Sequence, residues 1–138
     1  MILKLTRPQR TELNLPDLTI YGGKDCEAVT TTPADGEGFT LGRIAVKGLR
    51  TPCHTQDSIC WFLQDGDDRV VFTGDTLFHG GCGKFFEGTG AEMHQALNVT
   101  LASLPDDTRV FVRAALIGSH RTNTNEMHSP DTNTPNPT

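Results

Sequence analysis

Hydrophobic positions follow two rhythms along this chain, and the change between them divides it. From Phe39 to Phe72 they come in short runs broken by glycine and aspartate. Phe39-Thr40-Leu41 precedes a Gly42 turn and then Arg43-Ile44-Ala45-Val46-Lys47-Gly48-Leu49, whose partial period-two alternation suits a half-buried hairpin. Ser58–Leu63 and Arg69–Phe72 read as two further strands, parted by the strong turn signal Asp65-Gly66-Asp67-Asp68. Strands joined in this way predict a meander. Upstream, Leu18–Tyr21 before Gly22-Gly23 reads as a short strand ending in a turn, and Thr30–Glu37 reads as loop.

After Thr89 the period lengthens. Thr89-Gly90-Ala91-Glu92 has the capping-box pattern, in which hydroxyl and carboxylate satisfy the free N–H groups of a helix start. Met93, Ala96, Leu97, Leu101 and Leu104 then recur at helical spacing, which predicts an amphipathic helix ending near Ser103, before Pro105. Such a stripe is core packing. Thr108–Val112 predicts one more strand. From Thr122 to Thr138, Met127 is the sole apolar side chain apart from proline, and Asn and Thr dominate. That composition cannot bury enough surface to offset its ordering entropy. The chain is therefore expected to comprise a domain over residues 1–115 and a divergent, disordered tail over 116–138.

A length of 138 residues suits one domain. The net charge of -5 with no basic patch argues against nucleic acid and an anionic membrane surface as partners. No apolar run approaches the roughly 20 residues that span a bilayer. Met1-Ile2-Leu3-Lys4-Leu5 is too short and too quickly polar for a signal peptide. A soluble intracellular monomer is the expectation, cytoplasmic or alternatively mitochondrial. Cys26, Cys53, Cys60 and Cys82 include no C-x-x-C pair, so four reduced thiols are expected, with Cys60 buried as a small hydrophobe.

Two short segments after strands end in metal-capable side chains: Thr51-Pro52-Cys53-His54-Thr55 and Thr73-Gly74-Asp75-Thr76. Both put the polar residue at the C-terminal end of a strand, where layered α/β folds build their sites. An imidazole and a carboxylate meeting there suit zinc, iron or manganese. Taken singly, each segment reads first as a structural histidine or an ordinary Gly-Asp-Thr turn.

Thr73-Gly74-Asp75-Thr76-Leu77-Phe78, followed by Gly81-Cys82-Gly83-Lys84-Phe85-Phe86-Glu87-Gly88-Thr89, closely resembles the hydroxyacylglutathione hydrolases (glyoxalase II) of the metallo-β-lactamase superfamily. Thr51–Thr55 precedes it at the right distance, Asp57-Ser58-Ile59-Cys60 continues the match, and the resemblance runs from about Leu18 to Phe111. It implies an α/β fold, part of an αββα sandwich. It also implies a two-metal site, zinc or else iron or manganese, that hydrolyses a glutathione thiolester such as S-lactoylglutathione during methylglyoxal catabolism. Within it His54 matches a metal-ligand histidine and Asp75 the aspartate that bridges the two ions. Lys84 matches the position that binds a glutathione carboxylate, a job suited to a flexible ammonium. Phe85 and Phe86 fall in the same substrate-binding segment, where plain packing is the competing reading. His79 and His94 match no ligand position and are expected at the surface.

The resemblance is incomplete. The family's Thr-His-x-His-x-Asp-His motif has no counterpart, since no histidine precedes His54. Its later Gly-His-Glu-Tyr ligand segment is also missing; Gly118-Ser119-His120 is a displaced echo. With two ligands left, the expectation is an incomplete copy. The reading that competes with the hydrolase is an inactive fragment with weak glutathione or protein binding.

Overall fold

The structure, a computed structural model, describes residues 14, 15 and 17–113. The expected tail at 116–138 and Gly118-Ser119-His120 lie outside those residues. Within them a five-stranded sheet carries helix on one face. Its strands are β1 (Gly38–Leu41), β2 (Ile44–Arg50), β3 (Ile59–Asp65), β4 (Asp68–Gly74) and β5 (Arg109–Val112), in the order β1-β2-β3-β4-β5.

The first four strands form the expected antiparallel meander. Two-residue turns close the first and third of its three hairpins, with Leu41 opposite Ile44 and Asp65 opposite Asp68. The first turn residues, Gly42 and Gly66, have φ of 62° and 60°, a region that favours glycine over side chains with a Cβ. β5 joins β4 in parallel. A parallel neighbour needs a crossover, and the chain from Asp75 to Thr108 supplies it.

The helix of that crossover starts as predicted. Thr89 Oγ1 accepts from the Glu92 N–H and Glu92 Oε2 accepts from the Thr89 N–H, so the capping box is complete. The helix is not uniform, however. α1 (Gly90–His94) passes into a π-helical segment, Gln95–Thr100, and a 3-10 turn, Leu101–Ser103. Leu104 then turns extended at ψ 153°, the conformation forced on a residue before proline. Met93 and Ala96 are buried with Cys53, and Leu97 and Cys82 pack against them. Among the described residues no helix is long and apolar enough to cross a membrane.

Val71 of β4 is buried, while Phe72, facing the other way, stacks on Phe111 of β5 with ring centroids 5.2 Å apart and stays half-exposed. The predicted strand over Leu18–Tyr21 is corrected. Only Tyr21 pairs, in an isolated parallel bridge to Thr31, and its ring stacks on Phe39 at 3.7 Å. A side-chain anchor on the sheet has replaced a strand there.

Candidate functional site

The strand directions assemble the site. β2 and β4 both run antiparallel to β3, and β5 runs parallel to β4, so the C-terminal ends of β2, β4 and β5 share one rim of the sheet. His54 follows the first of these ends, Asp75 the second and Arg113 the third. Between Phe72 and Gly74 the register of β4 against β5 shifts, so β4 carries an extra residue just before Asp75. A bulge of this kind re-aims the side chains that follow it.

Buried polar contacts below the rim fix its two loops. The Thr51 and Thr76 hydroxyls share a hydrogen bond of 3.0 Å, and Thr51 Oγ1 lies 3.3 Å from Cys60 Sγ. The Thr73 hydroxyl donates to the Leu77 carbonyl at 2.9 Å. Thr51, Thr73 and Thr76 are almost fully buried, so each contact is made away from water, where an unmade bond is costly. One end of this network lies three residues before His54 and the other directly after Asp75.

The segment from Gly81 to Thr89 closes over both loops. Gly83 is buried so tightly that a Cβ there would stand 2.0 Å from the Asp75 carbonyl oxygen and 3.0 Å from His54 Nδ1. At Gly88 a Cβ would stand 2.4 Å from the Cys53 Cα. Gln56 ties the same surfaces together: its N–H donates to Glu87 Oε2, and its side-chain amide donates to the Glu87 carbonyl and to Glu92 Oε1. Hydrogen bonds from Gln56 and Thr89 hold the Glu92 carboxyl below the ordinary value of 4.5.

At the rim itself, His54 Nδ1 lies 2.8 Å from the Lys84 carbonyl oxygen. A carbonyl only accepts, so Nδ1 donates in this contact and Nε2 is the ring nitrogen left for another partner. That Nε2 stands 3.9 Å from Asp75 Oδ2. The two segments singled out in the sequence thus meet, with the metal-capable nitrogen facing the carboxylate. The Lys84 ammonium lies 5.0 Å from the Phe86 ring centroid, and Phe86 meets the His54 ring edge-on at 5.0 Å. Phe85 and Phe86 are exposed, and so are His79 and His94, which lie among no ligand group.

The residue that sequence reasoning missed is Arg113. Its Nη1 reaches both oxygens of Asp75, at 2.9 and 3.0 Å. Nothing in its local sequence signals this contact, which spans 38 positions and depends on β5 lying beside β4.

The metallo-beta-lactamase superfamily model matches residues 7–113. The chain belongs to this superfamily. As a metallo-β-lactamase superfamily member it is similar to a probable hydroxyacylglutathione hydrolase of Schizosaccharomyces pombe, 57% identical over 96 residues, covering 70% of this chain and 38% of that protein. It is also similar to the cytoplasmic hydroxyacylglutathione hydrolase of Arabidopsis thaliana, 46% identical over 102 residues, covering 70% of this chain and 40% of the relative. The chain thus spans about two-fifths of the length of these curated relatives. Among solved structures, ETHE1 from Myxococcus xanthus superposes with a TM-score of 0.62 at 30% identity, covering 83% of this chain and 50% of that one.

Proteins of the metallo-β-lactamase superfamily are in general metal-dependent, which sets a test for the rim. A catalytic zinc takes three protein ligands and a water. Among the described residues no group of three or more His, Cys, Asp or Glu side chains gathers to hold an ion. His54 and Asp75 are two donors, and Asp75 is already paired with the Arg113 guanidinium. The described residues alone do not fit a catalytic metal centre.

Proposed function

We propose that this chain carries the thiolester-binding side of a hydroxyacylglutathione hydrolase, with S-lactoylglutathione as the substrate and lactate and glutathione as the products of the complete reaction. The observation that carries the reading is the joint between the two halves of the rim. The backbone of Lys84 holds His54 by its Nδ1, so an ammonium and the Phe86 ring are tied to the imidazole that faces Asp75.

In this reading Lys84 pairs with a carboxylate of the glutathione moiety, and Phe85 and Phe86 flank the peptide and exclude water from it. His54 and Asp75 are two ligands of a metal pair, zinc or else iron or manganese, and the described residues gather no third ligand beside them. No hydrolytic step is assigned to the described residues by themselves. The protein acts as a monomer in the cytoplasm or the mitochondrion; relatives in Saccharomyces cerevisiae are described for each compartment.

The Arg113–Asp75 pair favours a second reading, an inactive form of the fold that retains glutathione or protein binding. Purified full-length chain separates the two. Loss of thiolester absorbance with S-lactoylglutathione and added zinc, abolished by Asp75→Asn, supports the hydrolase. Absence of turnover, with calorimetric binding of glutathione weakened about tenfold by Lys84→Ala, supports the second reading. Neither turnover nor binding overturns both.

A further inference from the structure

Asp75 is the acidic group at the centre of the rim, and its partner is already present within the chain. We infer that the Arg113 guanidinium is the resident counter-charge of Asp75 and that it competes with a divalent cation for that carboxylate. The inference does not depend on which thiolester the rim binds.

Three observations carry it. Arg113 Nη1 chelates both Asp75 oxygens, at 2.9 and 3.0 Å, so both are engaged on the side from which the guanidinium approaches. The Asp75 side chain is only 24% exposed and its backbone is pressed against Gly83, so the carboxylate has little freedom to turn away. His54 Nε2 lies 3.9 Å from the same carboxylate, so an ion shared by His54 and Asp75 would sit beside the guanidinium.

The chemistry makes the two cations exclusive. A zinc ion binds carboxylate oxygen at roughly 2.0–2.2 Å, a few ångströms from a nitrogen already bonded to that oxygen. Like charges at this separation repel, and the site is too little solvated to screen them fully. Arginine keeps its proton throughout the accessible pH range, so it cannot yield by becoming neutral or by turning into a ligand. It can yield only by moving. Its side chain is 57% exposed, which leaves room to swing outward, so the relation is competition rather than a permanent block. The placement is built by the sheet: Val112 pairs with Gly74, and the next residue on each strand is a member of the ion pair.

The test uses the full chain and zinc alone as probe, with affinity read by competition against a chromogenic chelator and melting read by Trp61 fluorescence. Arg113→Gln is expected to bind zinc at least about tenfold more tightly than the parent, and Arg113→Gln/Asp75→Asn to lose that gain. Without zinc, Arg113→Gln and Asp75→Asn each lower the melting temperature. The double variant melts no lower than the weaker single one, as expected for partners in one pair. Equal zinc affinity in parent and Arg113→Gln overturns the inference, as does a gain that survives Asp75→Asn. Should Arg113→Gln fail to fold, Arg113→Ala carries the test: it too removes the charge and the nitrogen that spans both Asp75 oxygens, and zinc affinity no higher than the parent's overturns the inference.

Discussion

Replacing Gly83 with alanine adds one methyl group at the point where the Gly81–Thr89 segment crosses Asp75. That methyl would lie 2.0 Å from the Asp75 carbonyl oxygen, where real Cβ atoms keep at least 3.0 Å, so one of the two backbones must retreat by an ångström or more. Rotamer changes give no relief, because the obstructing atom is main chain. The retreat has consequences on both sides. Moving Asp75 strains the buried Thr51–Thr76 bond beside it, and moving Gly83 pulls the Lys84 carbonyl away from His54. A cost of about 3 kcal/mol, the upper end of the range for overpacking, follows from a clash that backbone must absorb. For a domain of this size that is a fall in melting temperature of roughly 12 to 24 °C. Trp61 is the only tryptophan, so its fluorescence reports unfolding without labels. Gly81→Ala is the matched control, because a Cβ there meets nothing within 4 Å. Should the two variants melt within about 3 °C of each other, well inside the predicted gap, the close approach at Gly83 is not what holds the rim together.

Two other perturbations test the framework. Thr89→Ala removes the N-cap hydroxyl and is expected to cost about 1 kcal/mol in urea denaturation, while Thr100→Ala, in the helix interior, leaves the capping box intact. The second concerns alkaline pH. Burial pushes the Cys60 thiol above its ordinary value of 9.0. Below that value the thiol is neutral folded and unfolded, and stability is unaffected. As pH rises beyond it the unfolded chain releases the proton first, so the fold loses stability. Cys60→Ala should therefore flatten the fall in the urea midpoint between pH 8 and pH 10, whatever it does at neutral pH. An unchanged slope contradicts the assignment.

What was legible in the sequence was local. Gly42 and Gly66 mark turns because backbone hand requires them, and the capping box is a contact between residues three apart, so both could be read along the chain. The core stripe on the helix was legible for the same reason. His54 and Asp75 were found because each follows an apolar run, and their meeting follows from the two antiparallel pairings, β2 with β3 and β3 with β4, that separate their strands. What escaped depends on separation in sequence. The parallel pairing of β5, the bulge before Asp75 and the Arg113 contact all join segments some 38 positions apart, and no periodicity records such a pairing. The π-helical stretch at Gln95–Thr100 escaped differently, since its apolar spacing is that of an ordinary helix. Leu18–Tyr21 misled because an apolar run before Gly22-Gly23 resembles a strand, although only Tyr21 reaches the sheet.

β3 gives only the Cys60 thiol to the network beneath the rim, yet it sets the distance across the rim. Arg50 is paired with Ile59, and Trp61 with Phe72, so the height of His54 relative to Asp75 is counted out in residues of the strand that lies between theirs. Each residue of strand is worth about 3.4 Å, nearly the whole of the 3.9 Å gap between the imidazole and the carboxylate. A single insertion or deletion at the Gly66-Asp67 turn, at the far end of the sheet, is thus a change of calibration at the rim. In a sheet of this design the tolerance of the chemistry to length variation is decided where no chemistry takes place.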